Sequence, residues 1–251
     1  IAKIKKILVN NNTDYLLVTA PENVAWILNI RGYDSEFSPI PNARLLIGRN
    51  GTINFFAESK KVIKIKKILS KKIKFYDEDK IDKELNKLSK KSVWLDIFSC
   101  SIHYKNLLRK KNKLIEKTDP IYFLKSIKNS TEIKNMKKSH MIDGVALTKF
   151  LFWLKKNFKK KKITEISAQK KLENFRKKNK SYKFPSFSTI SGSGPNSAIV
   201  HYKASIKSNR TLKKGDLYLV DSGGQYSFGT TDVTRTISLD NNSKFISEVY
   251  T

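Results

Sequence analysis

Apolar residues in the first half of the chain occur in short runs that alternate with amphipathic segments. Short runs rich in β-branched, aromatic and leucine residues predict strands, whereas apolar residues three or four positions apart predict helices. The predicted strands cover Tyr15–Thr19, Ala43–Gly48, Thr52–Ala57, Ile73–Tyr76, Val93–Asp96 and Leu114–Glu116. Strands that alternate with helices are typical of an α/β domain, which we expect over residues 1–117.

Helices are predicted between these strands. Residues 1–9 are expected to be the end of a helix, and Pro21 suits the first turn of the next one. Residues 60–69 carry apolar side chains on one side, which predicts an amphipathic helix. An Asn-Gly pair at residues 50–51 is a strong signal for a β-hairpin between the second and third strands.

The second part of the chain is predicted to begin at residue 118, because Pro120 forces Asp119 out of the helical region. A long helix is expected next, with Ser130 as its N-cap and Glu132 in its first turn. Its apolar positions predict one buried stripe, formed by Ile133, Met136, His140, Leu147, Leu151, Leu154 and Phe158. A shorter helix and several strands are expected to follow.

The most informative stretch is residues 215–237, which carry two carboxylates, Asp221 and Asp232, on two strand-like runs. Apolar residues alternate with others in these runs, and residues 227–229 predict the turn between them. A hairpin of this length can place both side chains on neighbouring strands, facing one pocket. Paired carboxylates can bridge two divalent cations that polarise a carbonyl and activate water. On spacing alone, a polar hairpin with aspartates in turns is the alternative interpretation.

The formal net charge of +29 makes nucleic acid or an anionic membrane a candidate partner. However, 44 of the 51 basic residues are lysines, and they are scattered along the whole chain. Arginine, which reads bases and phosphates in a bidentate manner, is scarce. A solvated basic surface is therefore favoured over a nucleic-acid site.

Cys100 is the single cysteine, which excludes an internal disulfide and a thiolate metal cluster. The longest apolar runs are far shorter than the roughly 20 residues of a membrane span, and no signal peptide is visible. We therefore expect a cytoplasmic protein without a membrane partner. The chain begins with Ile1 rather than Met, so we expect the natural N-terminus to lie upstream.

Two stretches resemble aminopeptidase P, also called Xaa-Pro aminopeptidase, which belongs to the pita-bread metallopeptidases. They are SFSTISGSGPNSAIVHYKA at residues 186–204 and NRTLKKGDLYLVDSGGQYSFGTTDVTRTI at residues 209–237. The similarity extends upstream through residues 128–154 and 18–32, so it covers most of the chain.

The resemblance implies a fold of two parts. Residues 1–117 resemble the middle, creatinase-type α/β domain of the three-domain form of this family. Residues 118–251 resemble the first half of its pita-bread (α+β) catalytic domain, which would then be incomplete. The chain therefore resembles a piece of a longer parent that continues in both directions.

Site residues follow from the same resemblance. The family binds two divalent metal ions through two aspartates, one histidine and two glutamates. Asp221 matches the aspartate that binds one metal, Asp232 matches the one that bridges both, and the other ligands are expected downstream of Thr251. His201, in a VHYK run that we predict to be a strand, matches a pocket histidine that hydrogen-bonds the substrate or the oxyanion. Without the resemblance, a strand histidine satisfied by a neighbouring carbonyl is an equally good interpretation.

The implied activity is removal of an N-terminal residue that precedes proline, by metal-activated water. The cofactors would be two divalent metal ions, Mn²⁺ before Zn²⁺ or Co²⁺, and the parent would be a homodimer that acts on peptides with proline at the second position. The 251-residue chain itself is expected to be inactive, because a hard cation needs about six ligands and two carboxylates bind it weakly. Two alternatives stay open: a prolidase- or creatinase-type relative, and a non-catalytic pita-bread module that binds nucleic acid or protein.

Overall fold

The computed structural model describes residues 1–63, 65–69, 72–240 and 243–250. Two compact units are formed, Ile1–Lys128 and Asn129–Thr251. The predicted division after residue 117 stays a prediction. Among the described residues, no helix combines the length and the apolar character that a membrane span requires.

The first unit is a mixed six-stranded sheet with helices on both faces. Its helices are α1 Ala2–Asn10, α2 Pro21–Leu28, α3 Ser59–Val62, α4 Ile81–Asn86, α5 Ile102–Arg109 and α6 Pro120–Ser126. Its strands are β1 Tyr15–Val18, β2 Arg44–Gly48, β3 Ile53–Phe56, β4 Ile73–Tyr76, β5 Ser92–Leu95 and β6 Lys113–Glu116. All six predicted strands are present, and the predicted α/β class is confirmed.

The strand order in this sheet is β4-β3-β2-β1-β5-β6. The central strand β1 is antiparallel to β2 and parallel to β5, with Leu17 opposite both Leu46 and Leu95. Side chains alternate between the two faces along each strand. Leu16 therefore packs into the core under α1, whereas Leu17 packs into the core under α4 and α5. Because both faces of the sheet are covered, the central strands β1, β2 and β5 are mostly apolar.

The helix predicted over residues 60–69 is wrong beyond Val62, where α3 ends. Residues 65–69 form turns and a bend, and residue 64 lies outside the described residues. Ile63 and Ile68 are 62% and 82% exposed, whereas Ile65 and Leu69 are partly buried against the core, so only part of the predicted apolar side is covered.

The second unit contains two three-stranded antiparallel sheets, ordered β12-β9-β8 and β11-β10-β7. Its helices are α7 Ser130–Asn157, α8 Glu165–Lys177 and α9 Lys244–Tyr250. Its strands are β7 Tyr182–Pro185, β8 Ile190–Ser193, β9 Leu217–Ser222, β10 Gly224–Tyr226, β11 Gly229–Thr230 and β12 Val233–Ser238. The core lies between α7, α8 and the sheet of β8, β9 and β12.

Helix α7 departs from its prediction at two points. Its N-cap is Asn129 rather than Ser130: the Asn129 side chain accepts the Glu132 N–H at 2.9 Å, and the Glu132 carboxylate accepts the Asn129 N–H at 2.8 Å. Ile133, Met136 and His140 are exposed, so the predicted apolar stripe is wrong in the first half of the helix. The buried positions of α7 are Ser139, Asp143, Ala146, Leu147, Phe150 and Leu154.

Candidate metal centre

The two candidate carboxylates lie where a long β-ribbon passes from one sheet to the other. Strands β9 and β12 pair with Asp221 opposite Thr234, and the ribbon then continues as β10 and β11 in the second sheet. Asp221 is the penultimate residue of β9, and Asp232 directly precedes β12. The change of sheet therefore brings the two aspartates to the same end of the β9–β12 pair.

A glycine makes this crossing of the ribbon possible. A Cβ atom at Gly223 would lie 1.9 Å from the Thr231 carbonyl oxygen and 2.1 Å from Ser186 Oγ, so no larger residue fits. One step further along, Gly224 N–H donates to Thr231 Oγ1 at 2.9 Å and its carbonyl accepts the Thr231 N–H at 2.9 Å. These contacts fix the spacing of the two strands of the ribbon between Asp221 and Asp232.

Asp221 faces away from the apolar core. Tyr218, Val220 and Ser222 form the fully buried face of β9, and the alternation of the strand places the half-buried Asp221 on its other face. Asp221 Oδ1 is buried and has no hydrogen-bond partner in the part of the chain that the structure describes. Burial of an unsatisfied carboxylate oxygen is costly, so the atom needs a partner from outside these residues.

The candidate site is a cavity of about 420 Å³ that contains all the site residues predicted from the sequence. Its lining comprises Phe187, Ser188, Ile190, His201, Tyr202, Lys203, Asp221 and Asp232. Asp232 is exposed at this cavity, and no described residue forms an ion pair with either aspartate. The cavity therefore presents two carboxylates, an imidazole and an ammonium group beside aromatic and aliphatic walls.

His201 reaches this cavity from a turn, so the strand predicted for its VHYK run is wrong. Strand β8 ends at Ser193, a 3₁₀ helix covers Gly194–Ala198, and His201 follows with a left-handed backbone at φ 54°. The imidazole is exposed, and none of the described residues hydrogen-bonds it. A neighbouring carbonyl therefore does not satisfy the ring in this structure.

A buried polar network behind β9 was not foreseen from the sequence. Arg176 Nε and Nη2 donate to the Asp143 carboxylate at 2.7 and 3.0 Å, and Nη2 also donates to Ser222 Oγ at 3.0 Å. Tyr226 Oη donates to Asp143 Oδ1 at 2.6 Å, and burial together with this carboxylate raises the pKa of the phenol. The signal that could have found Asp143 is its position four residues before Leu147 on the helical stripe.

Other cavity residues were also missed, among them Phe187, Ser188 and Lys203. No motif distinguishes them, because they line the cavity only through the path of the loops that follow β7 and the 3₁₀ helix. His103 lies in the first unit, where it forms a 2.7 Å contact with Asp82, and it does not line the cavity. Glu248 lies in α9 and does not line the cavity either.

The donor set fits part of a site for hard divalent cations. Carboxylate oxygens are the preferred ligands of such ions, and the unsatisfied Asp221 Oδ1 is free to coordinate one. Among the described residues there is no group of three or more histidine, cysteine, aspartate or glutamate side chains that could hold a metal. A complete coordination sphere therefore needs ligands in addition to these two aspartates.

Two family models match the chain. Residues 1–132 match the family model of the creatinase/prolidase N-terminal domain, and residues 134–251 match that of metallopeptidase family M24. An Xaa-Pro aminopeptidase of Drosophila melanogaster is 36% identical over 256 residues, covering 99% of this chain and 41% of the relative. Xaa-Pro aminopeptidase 1 of Dictyostelium discoideum is 38% identical over 241 residues, covering 94% and 38%. The chain thus spans about two fifths of the length of these curated relatives.

Solved structures show the same fold. An X-prolyl aminopeptidase from Caenorhabditis elegans, described as a cytosolic enzyme with a di-nuclear active site, superimposes with a TM-score of 0.87 at 27% identity. The match covers 97% of this chain and 41% of that protein. A prolidase from Pyrococcus horikoshii OT3 gives a TM-score of 0.78 at 25% identity, covering 99% of this chain and 67% of that protein.

Proposed function

Because the chain belongs to metallopeptidase family M24 and carries a creatinase/prolidase N-terminal domain, we propose that it is part of an Xaa-Pro aminopeptidase. The whole protein would remove an N-terminal residue that precedes proline. The observation that carries this proposal is the shared cavity of Asp221 and Asp232, in which Asp221 Oδ1 lacks any partner among the described residues. The domain division of the proposed enzyme would be residues 1–117 and 118–251.

Asp221 and Asp232 would hold two divalent metal ions, Mn²⁺ before Zn²⁺ or Co²⁺, because carboxylate oxygens suit hard cations. When bound, such ions supply Lewis acidity to a substrate carbonyl and lower the pKa of water. The two aspartates orient and neutralise the cations, and Asp221 is the better fixed of the pair because it lies within β9.

His201 would donate a hydrogen bond to the oxyanion that develops at the scissile carbonyl. Its exposed imidazole lines the same cavity as both aspartates and has no described partner to compete for it. The scissile bond before proline is a tertiary amide without an N–H, so the enzyme must recognise the ring by shape. Phe187 and Ile190 offer apolar walls for such a ring.

The 251-residue chain by itself is proposed to be inactive, because its described residues supply two carboxylates where about six donor atoms are needed. We propose cytoplasmic location and a homodimer for the whole protein. The first agrees with the relative from C. elegans that is described as cytosolic.

Mn²⁺ titration of the chain, followed by water-proton relaxation, tests the metal assignment. We expect weak binding that is lost in Asp221→Asn and in Asp232→Asn. Asp240→Asn is the matched control, because Asp240 pairs with Lys159 and Lys214 at 3.6 and 3.1 Å and does not line the cavity. Equal loss in all variants, or no loss in the first two, would refute the assignment.

An assay with an Xaa-Pro peptide and Mn²⁺ tests the activity. We expect no turnover by the 251-residue chain and turnover by a longer chain that spans the length of the curated relatives. Turnover of dipeptides alone would favour the prolidase alternative. A steep salt dependence of nucleic-acid binding without any turnover would favour the binding-module alternative.

A further inference from the structure

Glu165, the first residue of α8, is a fully buried carboxylate that the proposed chemistry does not use. It accepts hydrogen bonds from Ser193 N–H at 2.8 Å, Asn196 Nδ2 at 3.0 Å, Tyr202 Oη at 2.9 Å and Arg210 N–H at 2.9 Å. We call these five residues the Glu165 clamp. Their donors fill the acceptor capacity of the carboxylate, so the group is satisfied without an ion pair among the described residues.

The clamp closes the base of the segment that carries His201. Ser193 is the last residue of β8, and Arg210 lies where the chain returns toward β9. The backbone strengthens this closure, because Glu165 N–H donates to the Arg210 carbonyl at 3.0 Å and Ser191 Oγ donates to the Glu165 carbonyl at 2.8 Å. One carboxylate therefore gathers both ends of the segment at the first turn of α8.

Tyr202 connects the clamp to the cavity. Its side chain is 7% exposed, and its hydroxyl lies 2.8 Å from Asn196 Nδ2 and 3.0 Å from Ser208 Oγ, in addition to the bond to Glu165. Burial and the nearby Glu165 carboxylate raise the pKa of the phenol, so the hydroxyl stays protonated and can donate. The ring is thus held at one orientation from several sides.

His201 directly precedes this anchored tyrosine. Its backbone adopts φ 54°, which is unfavourable for a residue with a Cβ and persists only where the surroundings impose it. Tyr202 is buried in the protein, whereas the imidazole of His201 is exposed at the cavity that contains Asp221 and Asp232. The strain at His201 and the anchor at Tyr202 are therefore parts of one arrangement.

We propose that Glu165 is a positioning residue: through Tyr202 it holds the backbone of His201 in the left-handed conformation that presents the imidazole to the two aspartates. The consequence for catalysis rests on the proposed function, whereas the positioning itself does not. Glu165→Gln keeps the size of the side chain but replaces one acceptor oxygen with an NH₂ group, which would face the donors of the clamp. We therefore expect the left-handed conformation at His201 to be lost.

Histidine NMR of the chain tests this proposal without metal or substrate. The chain has three histidines, so ¹⁵N-histidine labelling gives separate ring and amide signals for His103, His140 and His201. In Glu165→Gln and Tyr202→Phe we expect the His201 signals to shift or broaden while those of His103 and His140 stay in place. Tyr226→Phe is the matched control, because it removes only the hydroxyl that donates to a different buried carboxylate, Asp143, in the same unit.

The outcomes separate positioning from general destabilisation. Unchanged His201 signals in a folded Glu165→Gln protein overturn the proposal, and so do equal shifts at His201 in Tyr226→Phe. If Glu165→Gln does not fold, Tyr202→Phe decides, because it removes only a hydroxyl. A failure of the positioning proposal would leave the Mn²⁺ titration of the aspartate variants unaffected. It is therefore distinguishable from a failure of the peptidase assignment.

Discussion

Asp143 and Arg176 form a two-point ion pair in the core of the second unit, at 2.7 and 3.0 Å, with each side chain 2% exposed. The pair joins α7 to α8, and Arg176 extends it to Ser222 Oγ on β9. Ser222 follows Asp221 in the chain but points to the opposite face of the strand. The ion pair therefore braces, from behind, the strand that presents a candidate metal ligand.

Removal of one partner of this pair should be strongly destabilising. We expect Asp143→Asn to lower the free energy of unfolding by about 3–5 kcal/mol, because it leaves the Arg176 guanidinium buried without its countercharge. Urea unfolding at neutral pH measures the change. Lys177→Ala, which breaks the exposed pair with Glu173 at 2.8 Å, is the control and should cost no more than about 0.5 kcal/mol. Similar losses in the two variants would contradict the bracing role.

Asp14 should make the first unit sensitive to acid. The pKa of its carboxyl lies below the ordinary value, chiefly because the Ser92 backbone N–H donates to it at 2.9 Å, with further contributions from Ser92 Oγ and Arg49. A lowered folded-state pKa means that the unfolded chain binds the proton more tightly. The stabilisation by Asp14 is therefore present above about pH 4 and is lost as the pH falls through the folded-state pKa.

This linkage predicts how an Asp14→Asn variant behaves. It should be less stable than the wild type at neutral pH, and the difference should shrink as the pH falls below about 4. Urea unfolding at several pH values gives the comparison. Glu36→Gln serves as control, because Glu36 is exposed, and it should leave the acid dependence unchanged. A difference that grows toward low pH would reverse the sign and refute the linkage.

The local sequence pattern was sufficient to predict the strands of the first unit, because their buried residues form short apolar runs. The strand Ile73–Tyr76 was predicted with its observed bounds, and the other strands of the first unit were placed within about two residues. The pattern failed on α7 because the helix packs closely there against β11: a Cβ at Gly229 would lie 2.3 Å from Ser139 Oγ. A small polar side chain is buried at that point, and apolarity does not mark it.

The candidate site likewise contains one part that the sequence predicts and one part that it does not. The pairing of the two aspartate strands follows from local alternation, so Asp221 and Asp232 could be placed near each other from the sequence. The turn at His201 could not, because its conformation depends on hydrogen bonds to Glu165, which lies far upstream in the chain. Long-range polar contacts of this kind leave no periodic signal.

Alanine substitutions at two glycines, one in the β-ribbon and one in α7, provide the last prediction. Gly223→Ala should disrupt the ribbon, because its Cβ would meet the Thr231 carbonyl oxygen at 1.9 Å, and backbone atoms cannot move aside cheaply. Overpacking of this kind costs about 1–3 kcal/mol or more. The separation of Asp221 and Asp232 should change with it, so we also expect the Mn²⁺ affinity to fall.

Gly144→Ala is the matched control, since the same methyl group at Gly144 in α7 meets no atom of the described residues within 4 Å. Alanine is the better helix former, so this variant should gain about 0.5–1 kcal/mol and keep its Mn²⁺ affinity. Urea unfolding should give stability changes of opposite sign in the two variants, and Mn²⁺ titration should show a loss of affinity in Gly223→Ala alone. A Gly223→Ala protein with unchanged stability and affinity would show that the two strands can separate without consequence, and the geometry of the candidate metal centre would then need another origin.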